Sequence, residues 1–397
     1  MAFTKAYIPY GGYWTSPYSK WQGSFANLNA IELAAGTARK FFELRNINPD
    51  KFDNLYLGQT IPQLHCFYGG PWIAGLLGNG NITGPVINQA CITGVVCVKY
   101  ASQDIEGNIA KTSLVVAADR CSNGPHLYYP SQTGPGGLGQ TEDWVWDNFG
   151  SDPWAKNSMI QTAENVAKAN NIGRDEQDEV AQRRYDQYKT ALADDRAFQK
   201  RYMMPVEVGR GKRAKVIDAD EGIFPTTLDG LKSLKPVLPD GSVTFGSQTH
   251  PADGNSGMIV TTKENAAEIS SDSKIQIQFV GFGTARAKKS FMAEAIVPAS
   301  KAALKDAGIE MSDIAAVKTH NPFAVNDIYF SREMGFDVNN MNNYGSSIIW
   351  GHPQGPTALR ALIELIEELA AKGGGYGLFG GCAAGDTAAG CVVKVSG

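Results

Sequence analysis

The sequence is short of paired cysteines, of histidine and of long apolar runs, and each shortage removes a class of protein. Six cysteines are scattered through 397 residues without a CxxC pair, and the five histidines keep no metal-ligand spacing with them. That distribution suits neither a disulfide framework nor a structural zinc motif, so free thiols and no bound metal are expected. The apolar stretches are broken by charge or glycine well before the ~18 residues that a membrane span needs. The opening MAFTKAYIPYGGYW also lacks a basic segment followed by an apolar run. A soluble protein of the reducing cytoplasm is the expectation. Excess charge is missing too: 36 basic and 40 acidic residues leave a net charge of -4. There is no electrostatic footprint for nucleic acid or an anionic membrane, so an anionic ligand needs a local site.

What is present is apolar content, 43% of the chain, enough for a large core and for two or three domains. Residues 24 to 45 repeat with helical period through Ala26, Leu28, Ile31, Leu33, Ala34 and Ala38, and a short strand from Phe52 to Leu57 leads to Gly58. From Gly84 the order is a strand at Val86 and Ile87, a turn holding Cys91, a helix from Thr93 to Glu106 and a strand from Ser113 to Ala118. Such a βαβ unit belongs to a mostly parallel buried sheet. The second half is arranged similarly, with a helix from Pro298 to Ala307 and a strand from Ala315 to Lys318. It continues with a strand from Ser347 to Trp350, the turn GHPQG, a helix from Thr357 to Lys372 and a glycine-rich closing hairpin. The fold class is α/β, built as an architectural repeat. Residues from about 120 to 250 differ in character and read as an insertion, in which the charges of NIGRDEQDEVAQRRYDQYKTALADDRAF suggest a solvated helix face.

Cys91, in INQACITG, sits between a strand and a helix, where turn amides and the helix dipole favour a thiolate and an oxyanion. An inert core thiol occupies such a position equally well. His352, in WGHPQGPTALR, lies on a turn tightened by Gly351, Pro353 and Gly355, so its ring can be aimed; a structural role remains open. His320 ends the apolar strand before NPF, and Cys382 lies in the Gly- and Ala-dense GGGYGLFGGCAAG, which admits close approach of a ligand or merely a packed hairpin.

At these residues the chain resembles the thiolase superfamily. The motifs run in the family's order from near residue 5 to the end: INQACITG, SMIQTAENVA, GRDEQDEVA, TTLDGLKSLKPVLPDGSVTFG, NNYGSSIIWGHPQG and GGGYGLFGGCAAG. The resemblance implies a thiolase fold of two similar α/β halves with mixed sheets. Residues 1–119 and 245–267 would form the first half, 120–244 an inserted loop domain for coenzyme A, and 268–397 the second half. It implies that Cys91 carries the acyl group, His352 activates it, and Cys382 serves as acid and base. One oxyanion site would use the amides of Cys91 and Ala384, the other His352 with a water or side chain near His320. HNPF stands where a NEAF-like segment is common, which puts His320 at the asparagine position, as in sterol-carrier-type and archaeal thiolases, with Asn321 as the substitute. Thr249, Phe323 and Met159 are the residues assigned to CoA and substrate, Thr249 from an irregular SQTHPADG.

No permanently bound cofactor is implied; coenzyme A is a co-substrate. Trp350, Tyr344, Phe323, Phe379 and the aromatic start YIPYGGYWTSPYSKW leave an aromatic substrate and ordinary core packing both open. The wording of that start is similar to thiolases of the anaerobic toluene route, which split 2-benzoylsuccinyl-CoA into benzoyl-CoA and succinyl-CoA. That narrower resemblance implies a small zinc-ribbon and OB-fold partner beside a homodimer core. An acetoacetyl-CoA-forming thiolase and a non-catalytic CoA-binding subunit are the alternatives.

Overall fold

Two helices, Thr93–Glu106 and Gly355–Ala371, lie against each other at the centre of the molecule. Every residue from Gly355 to Leu369 is buried, so this helix has no wet face and behaves as a core element. Gly94 permits the contact: a Cβ there would sit 2.7 Å from Leu359 Cβ and 2.8 Å from the Gly355 carbonyl oxygen. The computed structural model describes residues 3–209 and 211–397; Met1, Ala2 and Arg210, which fall within the expected first half and insertion, lie outside the described residues.

Strands flank this pair on both sides. The hydrogen-bonded order is Ile314–His320, Gly375–Ala383, Thr387–Ser396, Gln276–Arg286, Tyr7–Pro9, Ala252–Thr261, Thr112–Arg120, Asn54–Gly58 and Val86–Ile87. Asn54–Gly58 runs parallel to Thr112–Arg120, which pairs antiparallel with Ala252–Thr261 from Asp253↔Arg120 to Thr261↔Thr112. The other half repeats the pattern: Ile314–His320 is parallel to Gly375–Ala383, which is antiparallel to Thr387–Ser396. Tyr7–Pro9 hydrogen-bonds to strands of both halves and joins them.

Period-two alternation sets the layers. Val115 and Ala117 face the central helices, whereas Leu114, Val116 and Ala118 face the outer helix Ala30–Arg45. In the second half Phe379 and Val393 point inward, while Leu378 and Val392 meet the outer helix Ile296–Ala307. The result is helix, sheet, helix pair, sheet, helix.

Three expectations need correction. The helix expected from residue 24 begins at Ala30, because the Asn29 side chain accepts from the amides of Ile31 and Glu32 and caps it there. Ser347–Trp350 is a buried helical turn, not a strand, so His352 follows a short helix. A four-residue apolar run does not distinguish the two by period. The charges of Arg174–Ala191 are only partly on a solvated face: Asp175, Glu179 and Lys189 are exposed, but Gln177, Asp178, Arg184 and Gln187 are buried, and Arg184 Nε pairs with Asp327 at 2.8 Å. Arg360 is similarly enclosed, bidentate on Asp220 at 2.7 Å and 2.7 Å and bonded to Glu364 at 3.0 Å. Among the described residues no helix is long and apolar enough to cross a membrane.

Candidate active site

The site forms where the two central helices begin. Cys91 occupies the turn Ala90–Ile92 ahead of Thr93–Glu106. Thr93 braces that turn: its hydroxyl donates to the Ala90 carbonyl at 2.7 Å and accepts from the Gln89 amide at 2.8 Å. Ala90 is held at a positive φ of 45°. His352 precedes the second helix, and its amide donates to the His250 carbonyl at 2.8 Å. Asp119 ties the start of the second helix to the segment after Asn54–Gly58, accepting from the amides of Gly355, Thr60 and Ile61, each at 2.9 Å. Burial pushes its carboxyl up to about 7 against the pull of those donors.

His352 Nε2 lies 3.1 Å from Cys91 Sγ, and its Nδ1 lies 2.6 Å from Thr357 Oγ1. Burial pushes the Cys91 thiol up to about 12, opposed by the backbone amides of Ala384 and of Cys91 itself, which pull it down. Burial also holds His352 well below the usual imidazole range, with His320 and His250 adding to the effect. The resting pair is therefore a thiol beside a neutral imidazole.

His320 ends its strand with its ring 4.2 Å from that of His352, centroid to centroid. Its protonation follows from its neighbours. Asn321 Nδ2 donates to Asp327 at 2.6 Å and to Ser346 Oγ at 3.0 Å, which turns its oxygen toward Ser347. Ser347 gives its single hydroxyl proton to Asn321 Oδ1 at 2.9 Å. It must then accept at 3.0 Å from His320 Nδ1–H. Nε2 of His320 is left with a bare lone pair, buried and without a partner among the described residues. Burial pushes this imidazole down to about 3. Asn321 is committed to the framework, whereas His320 presents a free atom.

Cys382 is buried near the end of Gly375–Ala383 and accepts from Asn326 Nδ2 at 3.1 Å. Burial and the neighbouring Cys91 raise its thiol well above the usual range. Met159, first residue of the helix Met159–Ala169, and Phe323 pack in the same apolar cluster as Cys382. Thr249 lies alongside, its hydroxyl donating to the Ser347 carbonyl at 2.5 Å and its amide to Pro322 at 2.7 Å.

The aromatic residues divide. Trp350 stacks on the Arg360 guanidinium and abuts Tyr18; Tyr344 stacks on Phe198 with centroids 3.7 Å apart; Phe379 is wholly buried. These rings serve packing, because large side chains bury the most area. Phe323 and Trp350 both lie in the apolar cluster that contains Cys382. Sequence reasoning did not find Asn326, Ser347, Thr357, Asp119 or Gln354, whose Oε1 lies 3.5 Å from Cys91 Sγ. No motif or spacing singles them out in the sequence, although Gln354 lies within GHPQG.

A buried thiol with an imidazole at contact distance and a second buried thiol form an arrangement able to carry acyl transfer. The chain belongs to the thiolase family: residues 13–264 match the thiolase N-terminal domain and 273–395 the thiolase C-terminal domain. It is accordingly an acyltransferase. An acetyl-CoA acetyltransferase of Paracoccus denitrificans is 30% identical over 91% of this chain and 93% of its own length. The mitochondrial 3-ketoacyl-CoA thiolase of Homo sapiens is 27% identical over 93% of this chain and 94% of its own. A crystal structure of human mitochondrial 3-ketoacyl-CoA thiolase in complex with CoA superposes with a TM-score of 0.90 at 25% identity, covering 100% and 99% of the two chains.

Proposed function

We propose that this chain cleaves a 3-oxoacyl-CoA with coenzyme A through an acyl-Cys91 intermediate, and the 3.1 Å approach of His352 Nε2 to Cys91 Sγ carries the reading. His352 takes the thiol proton at Nε2 as the sulfur attacks the 3-carbonyl. The amides of Cys91 and Ala384 hold the resulting oxyanion. The bond between C2 and C3 then breaks, and its electron pair passes into a thioester enolate. The enolate oxygen is held by His352 Nε2–H and by a water that gives its other proton to the bare His320 Nε2. Cys382, kept as a thiol by its burial, protonates C2 and releases the shortened acyl-CoA. Its thiolate, steadied by Asn326, takes the proton of an incoming CoA, whose sulfur removes the acyl group from Cys91.

The insertion 120–244 is the segment assigned to grip CoA, between a first half of 1–119 with 245–267 and a second half of 268–397; Thr249, Phe323 and Met159 would line the acyl and pantetheine path. A human relative crystallised with CoA supports this. The acyl substrate proposed is 2-benzoylsuccinyl-CoA, supported by the resemblance of the N-terminal segment and by Phe323 in the apolar cluster that contains Cys382. A homodimer core is supported by the open sheet edge at Val86–Ile87, next to exposed Phe67 and Tyr68. A zinc-ribbon and OB-fold partner follows from the same narrower resemblance, and a reducing cytoplasm suits six free thiols.

The test is a panel of 3-oxoacyl-CoAs with CoA, using the protein alone and copurified with any native partner. Turnover of 2-benzoylsuccinyl-CoA to benzoyl-CoA and succinyl-CoA is expected, with an acyl adduct in the intact mass that disappears in Cys91→Ser. Turnover of acetoacetyl-CoA alone removes the aromatic substrate. No adduct and no turnover on any member removes the enzymatic role of Cys91.

A further inference from the structure

Cys91, His320 and His352 come from three distant segments, yet one ligating atom from each falls within 4.8 Å of the other two. Their separation along the sequence hides the cluster from any spacing rule. All three are buried, and two of the three atoms already touch, Cys91 Sγ and His352 Nε2 at 3.1 Å. We infer that these residues form an inhibitory site for a single thiophilic divalent cation of the zinc type.

Three observations carry this. The donor set, one sulfur and two imidazole nitrogens, suits such a cation and not calcium or magnesium, which prefer oxygen. His320 Nε2 is a bare, buried lone pair without a partner among the described residues, as a ligand atom must be. Each imidazole is also oriented from behind: His320 Nδ1 by Ser347 Oγ at 3.0 Å and His352 Nδ1 by Thr357 Oγ1 at 2.6 Å. Outer partners of this kind fix a metal-binding histidine and its tautomer. Tetrahedral zinc holds its donors roughly 3.3–3.7 Å apart, so rotations of about an ångström close the set and leave a fourth position for water. On binding, Cys91 loses its proton to solvent and Sγ bonds the cation, which takes the sulfur away from acyl transfer. Cation and acyl group compete for one atom. An asparagine at 320 would offer a carboxamide in place of the imidazole, so the third strong ligand depends on His320.

Cobalt(II) titration of the whole protein tests the site without any turnover, so its outcome is separate from that of the thiolase reading. One cobalt per chain should bind, with a thiolate-to-cobalt charge-transfer band. The band should vanish in Cys91→Ser and in wild-type protein alkylated by iodoacetamide, which needs no variant to fold. His320→Asn should weaken binding by tenfold or more, and zinc should inhibit until EDTA is added. Absence of the band, or binding that Cys91 alkylation and His320→Asn leave unchanged, overturns the inference.

Discussion

The imidazole rings of His320 and His352 face each other with centroids 4.2 Å apart and planes tilted by 31°. One ring turns Nε2 to Cys91 Sγ, and the other keeps an Nε2 without a partner among the described residues; in the proposed mechanism the first removes the proton and the second supports the oxyanion. His320→Ala should lower kcat by about 10²–10³, the scale of losing one oxyanion group. KM for CoA should change little, because the residue acts at the reacting oxygen. Steady-state kinetics decide it, and an unchanged kcat removes His320 from the site.

Alkylation reports the resting state of Cys91. With its thiol pushed up to about 12 beside a neutral His352, the thiolate is scarce at neutral pH. The rate with iodoacetamide should rise about tenfold per pH unit from about pH 7 to 10 with no plateau. A plateau near neutrality would show a preformed thiolate–imidazolium pair.

Acid stability carries the signature of the buried histidine. The unfolded chain protonates His320 near 6.5, whereas burial delays the folded form to about 3. Its contribution is whole above 6.5 and is lost as pH falls toward 3. Asp119 has the opposite sign: raised from 3.8 to about 7, it contributes below 3.8 and loses that contribution as pH rises through 7. The informative quantity is therefore a difference. Denaturant unfolding of His320→Asn should show a slope against pH that differs from wild type by about one proton between about pH 6 and 4.

Much of this site was legible in sequence because its reacting residues sit at ends of strongly patterned elements. The helix Thr93–Glu106 has the bounds its periodicity implies, and it places Cys91 directly before its first turn. What escaped is the framework behind the reacting atoms. Ser347 and Asn326 act through hydrogen bonds between segments far apart in sequence, and Thr357 through a bond to His352 five residues earlier, and no hydrophobic period encodes such bonds. Arg184 was hidden differently, since a charge within a charged run looks solvated until a partner such as Asp327 encloses it.

That enclosure makes Arg184 a stability determinant with a reach into the site. Asp327 accepts from Arg184 and from Asn321, and Asn321 holds Ser347 against His320. Arg184→Ala leaves a buried carboxylate without its cation and should cost about 3–5 kcal/mol in chemical denaturation. At a temperature where the variant remains folded, kcat should fall while KM for CoA holds, and Arg184→Lys should recover part of it. Equal stability of Arg184→Ala and wild type would show the pair to be energetically idle.

Gly94 tests the geometry from the other side, without touching any reacting group. Its missing side chain lets the helix that starts after Cys91 lie on the helix that starts after His352. An added Cβ meets the Gly355 carbonyl oxygen at 2.8 Å and Leu359 Cβ at 2.7 Å. Backbone oxygen cannot rotate away, so Gly94→Ala must separate the helices. Overpacking of this kind costs about 1–3 kcal/mol. Separation also lengthens the contact between Cys91 and His352, which is only 3.1 Å, and proton transfer depends steeply on that distance. The variant should lose activity well beyond its loss of stability, on the order of 10²-fold in kcat. Iodoacetamide should still reach Cys91, since the thiol itself is intact. Full kcat in a folded Gly94→Ala protein would mean that the helix contact does not set the spacing of the two residues.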